Sequence, residues 1–155
     1  MGYCMSLRNS KFFLPAQRMQ EAFAALTNLS AQAPKQRHGH FAWVRTEVLA
    51  QARDVRDVLN EWRWRPTFST QGDIVDLSFE GEKLGDDKQL FDALAPYVSR
   101  GSFLEMHGED GEVWRWVFDG VRCLEQSANV GFPDLPGGDV IDVEAREVTQ
   151  PPLLR

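Results

Sequence analysis

The chain has 155 residues, enough for a single domain with a real hydrophobic core. A hydrophobic share of 43%, with ten Phe and five Trp, and a charged share of 26% exclude a disordered chain. A formal charge of −6 and a pI of about 5.1 disfavour nucleic-acid binding, and no apolar run approaches the roughly 20 residues that span a bilayer.

The opening MGYCMSLRNSKFF lacks a basic flank, an apolar stretch and a small-residue cleavage site, so no secretory signal is expected and a cytoplasmic location is. MGYCMS fits the loose myristoylation pattern, but the same residues read as a strand, with Tyr3, Met5 and Leu7 alternating. After an Asn9-Ser10 break the apolar run Phe12-Phe13-Leu14 leads to Pro15, which suits the first turn of a helix. Ala16, Met19, Ala22, Phe23, Leu26 and Leu29 then fall on one helical face. Residues 31–40 read as a polar loop. A second helix is expected with Thr46 as N-cap and a stripe running from Val48 through Leu59 to Trp62.

Next comes a hairpin, residues 62–69 and 74–80, turning at Thr70-Gln71-Gly72-Asp73, with Val75, Leu77 and Phe79 on its apolar face. Asp86 and Gln89 have capping-box spacing for a third helix carrying Leu90, Phe91, Leu94 and Tyr97. Three strands follow, 102–107, 112–118 and 121–125, with turns at Gly108-Glu109-Asp110-Gly111 and at the two-residue signal Asp119-Gly120. Beyond Gln126 the chain becomes Gly/Pro-rich, with one late strand expected over Val140–Val148.

The fold expected is α+β: a mostly antiparallel sheet with about three helices on one face. Its β-α-β-β-α-β order suggests a ferredoxin-like core with an inserted helix and extra C-terminal strands. Residues 1–126 form one domain, and 127–155 a C-terminal extension. Cys4 and Cys123 are too few and too far apart for a disulfide framework or a local metal motif, and read as reduced structural thiols. Charge is uneven: residues 1–66 carry ten Lys+Arg against five Asp+Glu, and residues 67–155 seven against eighteen.

Several groups are candidates for chemistry. Glu105, His107, Glu109, Asp110 and Glu112 gather at a hairpin tip, yet lack calcium-loop spacing and a second His, so a solvated acidic turn is favoured over a metal site. The triplet Trp-Arg-Trp occurs at 62–64 and at 114–116. In a strand it buries both indoles on one face and puts Arg63, Arg65 and Arg115 on the other, where they can pair with glutamates or meet an anion. Lys35-Gln36-Arg37-His38-Gly39-His40 is a short basic loop with no third metal ligand near it. The run 81–87, GEKLGDD, has only a superficial likeness to a phosphate loop, since no Lys-Ser/Thr pair follows its second Gly. Gly85 turns the backbone and Asp86 caps the helix. No catalytic residue, metal or cofactor is nominated.

Residues 81–120, GEKLGDDKQLFDALAPYVSRGSFLEMHGEDGEVWRWVFDG, together with the opening MGYCMSLRNSKFF, resemble a group of small uncharacterised proteins of bacteria and their mobile elements, phages and plasmids included. The shared pattern is GEKLGDD…GEDGxxWRWVF, and it covers roughly a third of the chain. The resemblance implies a prokaryotic, cytoplasmic accessory role and carries over no active-site residue.

The expected function is therefore non-enzymatic binding of another protein, of the immunity, antitoxin or anti-defence type. Arg63, Arg65, Glu109, Asp110, Glu112 and Arg115 are the candidate contact residues. One alternative is a small metal-dependent or ligand-binding enzyme using Glu105, His107 and Glu109. Another is nucleic-acid binding through Arg63, Arg65 and the 35–40 loop.

Overall fold

The computed structural model describes residues 2–33 and 39–128. The expected late strand and most of the basic loop lie outside these residues. Strand β1 spans Met5–Lys11, helix α1 Met19–Ser30, α2 Thr46–Leu49 and α3 Val55–Glu61. Strands β2, Trp64–Phe68, and β3, Ile74–Phe79, precede helix α4, Asp87–Leu94. Strands β4, Phe103–Gly108, β5, Val113–Phe118, and β6, Cys123–Ser127, complete the chain's α+β architecture.

Hydrogen bonding gives a four-stranded sheet, β1-β4-β5-β6, and the β2-β3 hairpin, every pair antiparallel. The hairpin lies beside β1, joined to it by antiparallel bridges at Cys4–Lys83 and Leu14–Ile74. The spatial order is thus β2-β3-β1-β4-β5-β6. With β3 inserted between β1 and β2, its first four strands follow the ferredoxin-like order, and β5 and β6 extend the sheet beyond β4.

Two β-bulges explain why sequence alternation breaks where it does. Between Leu7 and Asn9 the β1–β4 register slips. Inward residues change from odd numbers (Met5, Leu7) to even ones (Phe12, Leu14), which buries Phe12 and leaves Phe13 exposed. The expected Asn9-Ser10 break is therefore a bulge inside one continuous strand. A second slip between Thr67 and Phe68 leaves Val75 without a partner, so it points outward, 40% exposed, rather than joining Leu77 on the apolar face. The two bulged strands face each other, and Ser10 donates its hydroxyl to Asp76 across the gap at 2.7 Å.

The core is aromatic. Phe91 of α4 meets Trp64 at 5.0 Å, Trp116 at 5.3 Å and Phe118 at 6.0 Å between ring centroids, so one helical residue ties the hairpin to the main sheet. Each such pair contributes about 0.5–1.5 kcal/mol beyond area burial. The other face of the four-stranded sheet carries Phe103, Glu105, His107, Val113, Arg115 and Val117, none fully buried.

Local starts and turns differ from the sequence reading at four places. The second helix is two helices: Arg45, not Thr46, precedes α2, and Asp54 caps α3 by accepting from the Asp57 amide at 2.9 Å. Asp86 does not cap α4 with its side chain. Its Oδ2 turns away to accept from the Ala42 amide at 2.7 Å, and its Oδ1 accepts from the Gln89 side-chain amide at 3.4 Å. Arg63 is not a strand residue: Trp62 closes α3, and Arg63 takes a left-handed φ of 73° before β2 begins. Finally, β5 and β6 are joined by four residues, 119–122, because Asp119 Oδ1 accepts from both the Val121 and Arg122 amides, at 2.9 and 2.6 Å.

Candidate functional site

The acidic tip is built into the fold more than its sequence suggests. Gly111, at φ 89°, lets the chain double back, and the Gly108 amide donates to the Glu112 carbonyl at 2.8 Å. Glu109 then folds back to accept from the Cys4 amide at 2.5 Å, and the Tyr3 hydroxyl donates to Asp110. That bond holds the Asp110 carboxyl below the usual aspartate range, with help from the Glu112 amide, and pushes the Tyr3 hydroxyl up to about 12. The Glu112 carboxylate makes no hydrogen bond or ion pair among the described residues.

Glu105 and His107 stand on the helix-free sheet face, while Glu109 is turned to the Cys4 amide. Glu105 is occupied there: Arg115 donates to it at 2.8 Å and Arg8 approaches it at 3.3 Å. Among the described residues, no group of three or more His, Cys, Asp and Glu side chains is placed to hold a metal ion.

The three arginines read as one surface do not share it. The Arg115 guanidinium lies over the Phe103 ring at 4.3 Å. Arg63 is turned inward, its side chain only 17% exposed. It donates to the Lys83 carbonyl at 2.5 Å and to both oxygens of the fully buried Asp87 at 3.2 Å. Its left-handed backbone is what turns it inward between two buried tryptophans. Arg65, by contrast, is 68% exposed and among the described residues is paired with Glu80 alone, at 3.7 Å. Arg63 and Arg65 do line one feature together: a groove of about 560 Å³ between α3 and β2, also lined by Arg56, Asn60, Phe68 and Glu80.

Trp43 escaped the sequence reading. It belongs to no periodic pattern, whereas Trp62, Trp64, Trp114 and Trp116 all sit in apolar runs and are buried. Trp43 is 49% exposed and takes a left-handed φ of 65°, an uncommon conformation for a bulky residue. Its indole N–H donates to the Leu84 carbonyl at 3.3 Å, and the ring lies against Gly85, where a Cβ would come within 2.7 Å of Trp43 Cδ1. Leu84 is also exposed, and the nearby Arg45 is anchored by three bonds to Glu61, at 2.8, 3.1 and 2.9 Å. The result is a fixed aromatic projection with an apolar neighbour and a cation beside it. A tryptophan outside every apolar period was the one available signal.

No helix among the described residues is long and apolar enough to cross a membrane. Compared with known proteins, the chain matches no family model, no curated protein and no solved structure.

Proposed function

We propose that this is a non-enzymatic prokaryotic accessory protein that acts by binding another protein, in the manner of immunity, antitoxin or anti-defence proteins. The observation that carries this reading is Trp43, half exposed on a strained backbone and held in place from below by the Leu84 carbonyl and Gly85. Binding energy at protein interfaces concentrates in such aromatic anchors, with Trp and Arg the commonest. An indole fixed before contact loses little conformational entropy on binding. Arg45 beside it, and the exposed Glu112 carboxylate at the hairpin tip, supply charges that set orientation and encounter rate.

Capture from the native host at low and high salt, followed by calorimetry with the protein recovered, tests this. Trp43→Ala is expected to weaken the complex by about 2–4 kcal/mol while leaving thermal unfolding nearly unchanged. Retention of no protein at either ionic strength, or an unchanged affinity for Trp43→Ala, would sink the proposal.

A further inference from the structure

The α3–β2 groove is separate from the Trp43 surface and is built differently. Arg56 and Asn60 stand one turn apart on α3 and face the groove from the helix side, while Arg65 faces it from β2. The Arg56 guanidinium lies over the Phe68 ring at 4.5 Å, which fixes its plane and leaves its N–H edge free to donate. Among the described residues Arg56 has no carboxylate partner, and the Asn60 side chain makes no hydrogen bond. Among the same residues Arg65 is held only by Glu80, itself half exposed, at 3.7 Å, beyond hydrogen-bond length. Arg63 forms the back wall and is neutralised by Asp87.

We propose that this groove binds the phosphoryl group of a small phosphorylated molecule, held by Arg56 and Asn60 from the helix and by Arg65 from the strand. Two features favour phosphate over carboxylate. The donors approach from two sides of the groove, which suits a tetrahedral group with three terminal oxygens better than a planar one with two. The set also presents two guanidinium forks and an amide against a single acid, Glu80. A small molecule is favoured over a nucleic-acid backbone because the exposed Asp57 and the half-exposed Glu80 interrupt any positive track around the groove. The groove volume, about 560 Å³, falls in the range of small-ligand sites. Glu80 is then a gate: the incoming phosphoryl takes Arg65 from it, and Glu80 retains Ser78, whose hydroxyl lies 3.4 Å away.

Calorimetric titration at fixed ionic strength with pyrophosphate, ATP, citrate and a single-stranded oligonucleotide tests the site. Saturable binding of pyrophosphate or ATP, weakened at least tenfold by both Arg56→Gln and Arg65→Gln, supports it. Glu80→Gln is the sharper variant, because it is expected to tighten binding severalfold, which no loss of folding can mimic. The proposal is overturned if no phosphate compound binds, if citrate binds as well as pyrophosphate, if the oligonucleotide outcompetes both, or if Glu80→Gln leaves the affinity unchanged or lower.

Discussion

The indole N–H of Trp64 donates to Asp87 at 2.9 Å, and neither side chain touches solvent. Asp87 also accepts from Arg63 Nη2 at both its oxygens and from the Gly85 amide at 2.9 Å, so one buried carboxylate holds the hairpin, the 81–86 loop and the start of α4 together. Removing it leaves the partly buried Arg63 cation without its counter-ion, holding only the Lys83 carbonyl, and the Trp64 N–H without an acceptor. Asp87→Ala is therefore expected to cost about 3–5 kcal/mol in urea unfolding. Trp64→Phe, which strands only one acceptor site, should cost less of the hydrogen-bonding energy, about 1–3 kcal/mol, in addition to its packing loss. A loss below about 1 kcal/mol for Asp87→Ala would show that water replaces these bonds.

How much of this was legible depends on range. The α4 stripe of Leu90, Phe91 and Leu94 and the split β-α-β-β-α-β order follow from local periodicity, and in the meander β4 and β5 stand close to their expected bounds while β6 begins later than expected, at Cys123. Bulges do not announce themselves, because a phase change such as Leu7 to Phe12 looks the same as a broken strand until the partner register is known. Side-chain partners are less legible still. Asp86 and Asp87 are chemically identical neighbours, and only the tertiary positions of Ala42, Arg63 and Trp64 decide which one is buried. Trp-Arg-Trp misled for the same reason: its second copy is a strand, while its first straddles a helix end where Arg63 adopts a left-handed backbone.

The Tyr3–Asp110 bond has a spectroscopic signature. The Tyr3 hydroxyl is pushed up to about 12 chiefly by its bond to Asp110, so the protonated form is the one favoured by folding. That contribution is complete below the ordinary tyrosine range and is lost as pH rises through about 12. Asp110 has the opposite sign: its folded value is depressed, so its contribution is present above the ordinary aspartate range and lost as pH falls below it. In a Tyr97→Phe background, ultraviolet titration of Tyr3 is expected to move down toward its ordinary range in Asp110→Asn. Gly108→Ala should have the same effect, because the space its Cβ needs is filled by the Tyr3 ring and hydroxyl. A midpoint unchanged in both variants would remove the bond from the account.

The two thiols should separate kinetically. Cys123 is buried, and burial pushes its thiol up to about 12, with Lys88 pulling the other way and nearby Asp92, Glu125 and Asp119 adding to the rise. Thiolate is the reactive form, so at neutral pH Cys123 should react with an aromatic disulfide reagent only after unfolding. Cys4 is half-buried beside the Lys83 ammonium at 3.8 Å and should account for the fast phase. Cys4→Ser is expected to abolish that phase. Fast labelling that survives Cys4→Ser would mean that the β5–β6 hairpin opens readily.

Trp43 can be isolated without any partner. The other four tryptophans are at most 5% exposed, so acrylamide should quench a single component of the native fluorescence, red-shifted and equal to the Trp43 emission. Trp43→Phe is expected to remove that component and to change unfolding free energy by no more than about 1 kcal/mol, because its ring is half in water. Gly85→Ala adds the complementary test. Its methyl would sit 2.7 Å from Trp43 Cδ1 and 3.1 Å from both the Ala42 carbonyl oxygen and Arg63 Nη2, and the half-exposed indole is the freest of these to move because Arg63 is held by Asp87. The alanine variant should keep a quenchable tryptophan but raise its quenching constant, as the ring swings off Leu84. If the indole is the protein's anchor for a partner, Gly85→Ala should also weaken that complex with Trp43 intact, which separates the position of the ring from its presence. A complex that tolerates Gly85→Ala but not Trp43→Ala would mean the ring is recruited by the partner rather than held ready for it.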